Sequence, residues 1–169
     1  GLGIKTATCS VRDVDEVGAE LIEIAENLHR NDLNKLQRDE QLARWIELTT
    51  ERLRVSGKLP ETREGRPGIP LSVKQDLGIE ETDAKRAVKV AGLSDEAKEA
   101  ARETGLDNNR TALLEAAAFT EPAKQVSALR ERHAAKEREK SADAKVLAKE
   151  SADKIAELLA IHIPTHLWD

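Results

Sequence analysis

Met and Tyr are absent, and the aromatic side chains number three: Trp45, Phe119 and Trp168. A β-sandwich relies on aromatic and β-branched residues for its core, so this composition does not suit one. Cys9 stands alone, so no internal disulfide can form, which agrees with a reducing compartment. No stretch approaches the roughly 20 apolar residues that span a bilayer, and no short apolar segment follows a basic start as in a secretory signal. The expectation is a soluble, cytoplasmic protein with no membrane partner. The missing initiator Met adds the expectation that the sequence begins inside a longer protein.

What is present points to helices. Of 169 residues, 39% are hydrophobic and 35% charged, and 20 of the 24 alanines fall from Ala84 onward. Alanine with abundant Glu, Lys, Arg and Leu is the composition of helices. The fold class expected is mainly α: a multi-helix domain with a helix-turn-helix, preceded by a short strand-helix remnant and followed by a helical extension. The formal charge of −5 is unevenly spread. Residues 1–32 carry three basic against seven acidic side chains, a net −4, whereas residues 124–154 carry nine against six, a net +3. A mildly acidic whole can therefore still present a basic surface to a nucleic acid.

Thr6 to Val11 reads as a short strand. It has no partner strand in the chain, so its sheet would be supplied from elsewhere. Val17, Leu21, Ile24, Ala25 and Leu28 then recur at helical spacing. Asn34 with Gln37 forms a capping box that opens a helix whose face is Leu42, Trp45, Ile46, Thr49 and Leu53, running to about Arg54. Ser56 to Pro70, rich in Gly and Pro, reads as a long surface loop. Ser72 with Gln75 suggests a second capping box, and Gly78 after Leu77 a left-handed helix stop. Further helices are expected from near Thr82 to Gly92, from the cap Ser94 to Gly105, and from Asn108 or Asn109 to about Phe119. Beyond Pro122 an Ala/Lys/Glu/Arg-rich segment should be helical. Its apolar patch Ile155 to Leu167 is open to two readings, a dimer contact or a fold-back onto the chain's own core. The boundaries drawn are 1–33, the end of an N-terminal domain; 34–121, the helix-turn-helix domain; and 122–169, the extension.

Two short helices joined through Leu77-Gly78-Ile79 have the layout of a helix-turn-helix. On the second, Ala84, Ala87, Val88 and Ala91 form an apolar face of small residues. Thr82, Lys85, Arg86 and Lys89 repeat that spacing two residues earlier, about 200° around the helix, and so point away from the core. One hydroxyl and three long cations facing outward suit a major groove. The roles assigned are base contact by Thr82, Lys85 and Arg86, and phosphate contact by Lys74, Gln75 and Lys89. A solvated charged face is the plain alternative. Two features argue against DNA: Glu80, Glu81 and Asp83 place negative charge where bases are usually read, and Lys74 stands where many such motifs need a small residue for helix packing; acids at those positions still suit selection of cytosine amino groups or rejection of wrong sequences.

The segment Glu26-Asn27-Leu28-His29-Arg30-Asn31-Asp32-Leu33 resembles the Glu-Asn-x-x-Arg-x-Asp-Leu box of the ParB family of plasmid and chromosome partition proteins. The order that follows is similar too: a helix, a loop, the helix-turn-helix from Leu71 to Gly92, and the Leu93-Ser94-Asp95-Glu96 helix start. The resemblance covers about residues 8–120. It implies sequence-specific binding of duplex DNA as a homodimer, association with nucleoid or plasmid, and a partition ATPase as a partner. In that family the N-terminal domain binds CTP with magnesium. The resemblance would place Glu26 and Asn27 near magnesium and Arg30 on a phosphate, chemistry that suits a carboxylate, an amide and a guanidinium. The family's earlier Gly-x-x-Arg-type motif is absent, and one box cannot enclose a nucleotide. This chain is therefore read as no enzyme, with CTP and magnesium belonging to a full-length protein; the other reading of the box is an i, i+4 pair of Glu26 with Arg30 while Asn27 helps end the helix. Gly65-Arg66-Pro67 reads as a turn rather than an AT-hook, and Pro164 argues against a zinc site of His162 with His166. Two alternatives to a DNA-binding role are a helical interaction module meeting an acidic protein and a CTP-dependent switch.

Overall fold

The structure is a computed structural model, and it describes residues 13–30, 32–57 and 69–162. The strand expected at Thr6–Val11 and most of the Ser56–Pro70 loop lie outside the described residues. Among those described, every regular element is a helix: α1 Glu16–His29, α2 Lys35–Val55, α3 Leu71–Leu77, α4 Glu81–Ala91, α5 Asp95–Glu103, α6 Arg110–Ala116 and α7 Pro122–His162. The protein is mainly α.

Local chemistry sets most of the boundaries. The Asp15 side chain accepts the Gly18 N–H at 2.9 Å and starts α1. At the start of α2 both bonds of the capping box form, with the Gln37 N–H donating to Asn34 Oδ1 at 2.8 Å and the Asn34 N–H donating to Gln37 Oε1 at 3.1 Å. Ser94 caps α5 and Asn109 caps α6. Asn108 has a different task. Its Oδ1 accepts the Lys35 N–H at 3.2 Å, and beside it the Asp107 carbonyl accepts the Leu36 N–H at 2.9 Å. The α5–α6 loop thus satisfies donors that the start of α2 would otherwise leave open. Helix α6 ends at Ala116, earlier than the Phe119 expected, because the Ala118 and Phe119 N–H groups return to Glu115 and Ala116 in a tight turn.

The core has two clusters. Ile24 and Leu28 of α1, Leu42, Trp45 and Ile46 of α2, Val73 of α3, and Ala84 and Ala87 of α4 make one. Leu36, Val90, Leu93, the alanines of α5, Leu106, Leu113 and Leu129 make the other. Helices α2 and α4 contribute to both, so they are the beams that join them. Small residues at Ala84 and Ala87, fully buried, let α4 lie close against α2. Buried Gln125 fastens the start of α7: its Oε1 accepts the Ser94 N–H at 2.9 Å and its Nε2 donates to the Phe119 carbonyl at 2.8 Å. Past His133 the helix leaves the body, and every side chain from Ala134 to Leu158 is exposed, Val146, Leu147, Ile155 and Leu158 among them. No helix among the described residues is long and apolar enough to cross a membrane.

Candidate nucleic-acid interface

Helix α3 begins at Leu71, directly after Pro70, and the Val73 N–H donates to the Pro70 carbonyl at 3.0 Å. Ser72 is therefore the second residue of the helix and does not stand at the cap position expected of it. A proline in the cap position supplies a preset φ and needs no side-chain bond. The helix stops at Gly78, whose φ of +66° is a left-handed conformation that disfavours any residue with a Cβ. The Gly78 and Ile79 N–H groups turn back to the Lys74 and Val73 carbonyls at 3.1 and 3.3 Å. Three residues, Gly78-Ile79-Glu80, then lead into α4.

On α4 the side chains of Thr82, Lys85, Arg86 and Lys89 are all exposed, opposite the buried Ala84, Ala87 and Val90. Lys74 and Gln75 are exposed on α3. The apolar face differs in two residues from the sequence reading, and one of them, Ala91, is only half-buried. Val88 is 43% exposed and Val90 takes its place inside. The cause is that α4 touches two clusters: its first turns face α1, α2 and α3, while Val90 reaches into the cluster of α5 to α7.

Three of the four cations of this face are paired with carboxylates. Lys74 pairs with Glu80 at 2.9 Å, Lys85 with Glu81 at 2.7 Å and Arg86 with Asp83 at 3.2 Å. The Lys85 ammonium, donating to Glu81, holds that carboxyl below the usual range. Residues 71–92 hold four basic and four acidic side chains, so the segment is neutral overall. Lys89 has no carboxylate within 4 Å among the described residues. All three pairs are well exposed, and such pairs exchange one anion for another readily. The face can accept a phosphate or a base edge, but it does not attract DNA by bulk charge.

The base of α4 is fixed by a residue that sequence reasoning missed. Arg110 of α6 donates from Nε and Nη2 to both oxygens of Asp39 on α2, at 3.1 and 2.8 Å. Its Nη1 donates to Asp83 Oδ1 at 3.0 Å, and its Nη2 also reaches the Asp83 carbonyl at 3.2 Å. One guanidinium thus binds three helices. Asp39 is 2% exposed, and burial pushes its carboxyl above the usual range although Arg110 pulls it down. A signal was present: Asp39 interrupts the buried stripe Leu36, Leu42, Ile46, and an acid in an apolar stripe demands a cationic partner.

The nucleotide candidates sit apart on α1. Glu26 and Arg30 are exposed and Asn27 is half-buried. The i, i+4 pair of Glu26 with Arg30 does not form, because the helix ends at His29 and Arg30 is extended, with φ −75° and ψ 145°. The Asn27 carbonyl accepts the Arg30 N–H at 3.1 Å, and the Leu28 carbonyl accepts Arg38 Nη1 at 2.7 Å, which closes the helix end. Among the described residues no group of three or more His, Cys, Asp or Glu is placed to hold a metal ion. His166 and Gly65-Arg66-Pro67 lie outside them. No protein-family model, curated protein or solved structure matches the chain.

Proposed function

We propose that this chain binds duplex DNA sequence-specifically, as a ParB-like partition or regulatory protein, with α4 in the major groove. The observation that carries the reading is the common exposure of Thr82, Lys85, Arg86 and Lys89 on one side of a helix that follows a short helix and a three-residue turn. In the proposed complex Thr82, Lys85 and Arg86 meet base edges, while Lys74, Gln75 and Lys89 meet phosphates. The neutrality of residues 71–92 means that affinity comes from fitted contacts more than from charge. A single such helix binds weakly, so two copies act together. The exposed Leu147, Ile155 and Leu158 of α7 favour that helix as the pairing element.

The test is selection of bound fragments from a pool of random duplexes, with wild type and with Arg86→Ala. Wild type should enrich a short motif, and the variant should lose preference at one or two of its positions, at a cost of about 1–3 kcal/mol in discrimination. Enrichment of the same motif to the same degree by both proteins speaks against α4 as the reading element.

A further inference from the structure

Helix α7 runs on past the body, and the side that packs at its start continues as an uncovered stripe. Leu129 is fully buried in the second core cluster, Val126 packs against that cluster and His133 is half-buried. Eighteen residues make five full turns of an α-helix, so Ala144, Leu147 and Ser151 lie on the same side as Val126, Leu129 and His133. With Ala148, Ala152, Ile155 and Leu158 they fall at i, i+3, i+4, i+7, i+8, i+11 and i+14, the spacing of a helix face that packs. Nothing in the chain covers them among the described residues: Leu147 is 69% exposed, Ile155 58% and Leu158 55%. The ion pairs that α7 makes among those residues all lie at or before Lys140, so Glu150 and Lys154, on one flank of the stripe, have none in the chain.

We infer that this stripe is covered by the same stripe of a second copy of the chain, running antiparallel, with the two-fold axis at Ser151. The inference rests on the pairing proposed above for α7 and is independent of DNA. A two-fold contact brings residue i of one copy to residue j of the other and j to i. The stripe suits that axis: seven residues to either side of Ser151 stand Ala144 and Leu158, and four to either side Leu147 and Ile155. Ala144 then meets Leu158 of the second copy, small against large, and Leu147 meets Ile155. On the flank, Lys154 of each copy passes Glu150 of the other, about 3 Å away along the axis at 1.5 Å per residue, so two ammonium groups bracket the two central carboxylates. The body decides the direction. Because the stripe continues the body-facing side, each body stands on the seam side of its own helix, and a parallel pair would drive the two bodies into one another beside residues 122–133. In the antiparallel pair His162 of the second copy reaches only the level of Lys140, about 10 Å short of half-buried His133, and the bodies stand clear at opposite ends.

Sedimentation equilibrium of the full chain, in reducing buffer and without DNA, tests the pairing. Wild type should show a monomer–dimer equilibrium. Leu147→Lys and Ile155→Glu each bury a lone charge in the seam and should weaken dimerisation by about tenfold or more. Carried together on one chain, they set lysine against glutamate across an antiparallel seam, so the double variant should dimerise more tightly than either single one. Across a parallel seam the same two changes oppose like charges, and the double variant is the weakest of the three. Val146→Lys, on the opposite side of α7, should leave dimerisation unchanged, and the fluorescence of buried Trp45 reports that the body stays folded in every variant. The axis is read by oxidation in a Cys9→Ser background: Ser151→Cys should join two copies through a disulfide, whereas Leu147→Cys should not, since its equivalents stand about 12 Å apart along the axis, beyond disulfide reach. A double variant weaker than both single ones, a disulfide formed as readily at 147 as at 151, or dimerisation unmoved by either single charge overturns the antiparallel seam. Wild type that stays monomeric at about 1 mM removes the pairing through α7 and this inference together. DNA binding by α4 is judged separately, by the selection described above.

Discussion

Replacing Arg110 by Ala tests the node that joins α2, α4 and α6. The change leaves Asp39, 2% exposed, with no guanidinium on its two oxygens. Removing one partner of a buried pair costs about 3–5 kcal/mol. Two features lower that figure here: Arg110 is itself 28% exposed, and Asp39 can escape by taking up a proton. A loss of about 2–4 kcal/mol at pH 7 follows from the buried-pair range after that discount. With a urea slope of about 2 kcal/mol/M, the unfolding midpoint followed by circular dichroism should fall by about 1–2 M. The pH dependence gives a second handle. Burial already raises the Asp39 carboxyl, and Arg110 is the largest influence that lowers it. In the variant the folded protein therefore binds a proton at a pH where the unfolded chain, with an ordinary aspartate, does not. Acid then favours the folded variant, so its deficit against wild type should shrink as pH falls from 7 toward the ordinary aspartate range. A deficit below about 1 kcal/mol, the level of an exposed pair, or one that widens on acidification refutes the argument.

Gly78→Ala should cost about 1–2 kcal/mol, the penalty of a left-handed residue with a Cβ, since φ is +66° and nothing lies within 4 Å of the added atom; an unchanged urea midpoint contradicts it. Ala87→Leu should destabilise by about 1–3 kcal/mol through overpacking of the close α2–α4 contact, where Ala87 is fully buried; a loss confined to DNA binding, at full stability, shows that the contact is looser than described. Lys145→Ala, on the exposed stretch of α7, should leave the unfolding free energy within about 0.5 kcal/mol, because surface changes away from packed features are small. A larger drop shows that α7 supports the core beyond Leu129.

Much of the architecture was legible where one short signal decides a boundary. The Asn34–Gln37 box, the Ser94 cap and the Leu77-Gly78 stop each need only neighbours in sequence, and each forms as expected. The same kind of signal misled at Ser72, where Pro70 had already set the start of α3 and a Ser three residues before a Gln had no end to cap. Periodicity placed the polar face of α4 on the correct side but misassigned Val88, because a single-helix reading assumes one core and α4 serves two. The Glu26–Arg30 pair failed for a simpler reason, the helix stopping one residue short. The Arg110 node was out of reach as a whole, since its partners lie 71 and 27 residues away in sequence. Asp39 in the apolar stripe of α2 was its one visible trace.

The central claim is that the outer side of α4 is the surface that meets DNA. Mapping amide chemical-shift changes while the selected duplex is titrated into the full chain tests it most directly. The account predicts the largest changes at Thr82, Lys85, Arg86 and Lys89, with smaller ones at Lys74 and Gln75. Changes confined to α1 or to α7, with α4 silent at saturation, contradict it.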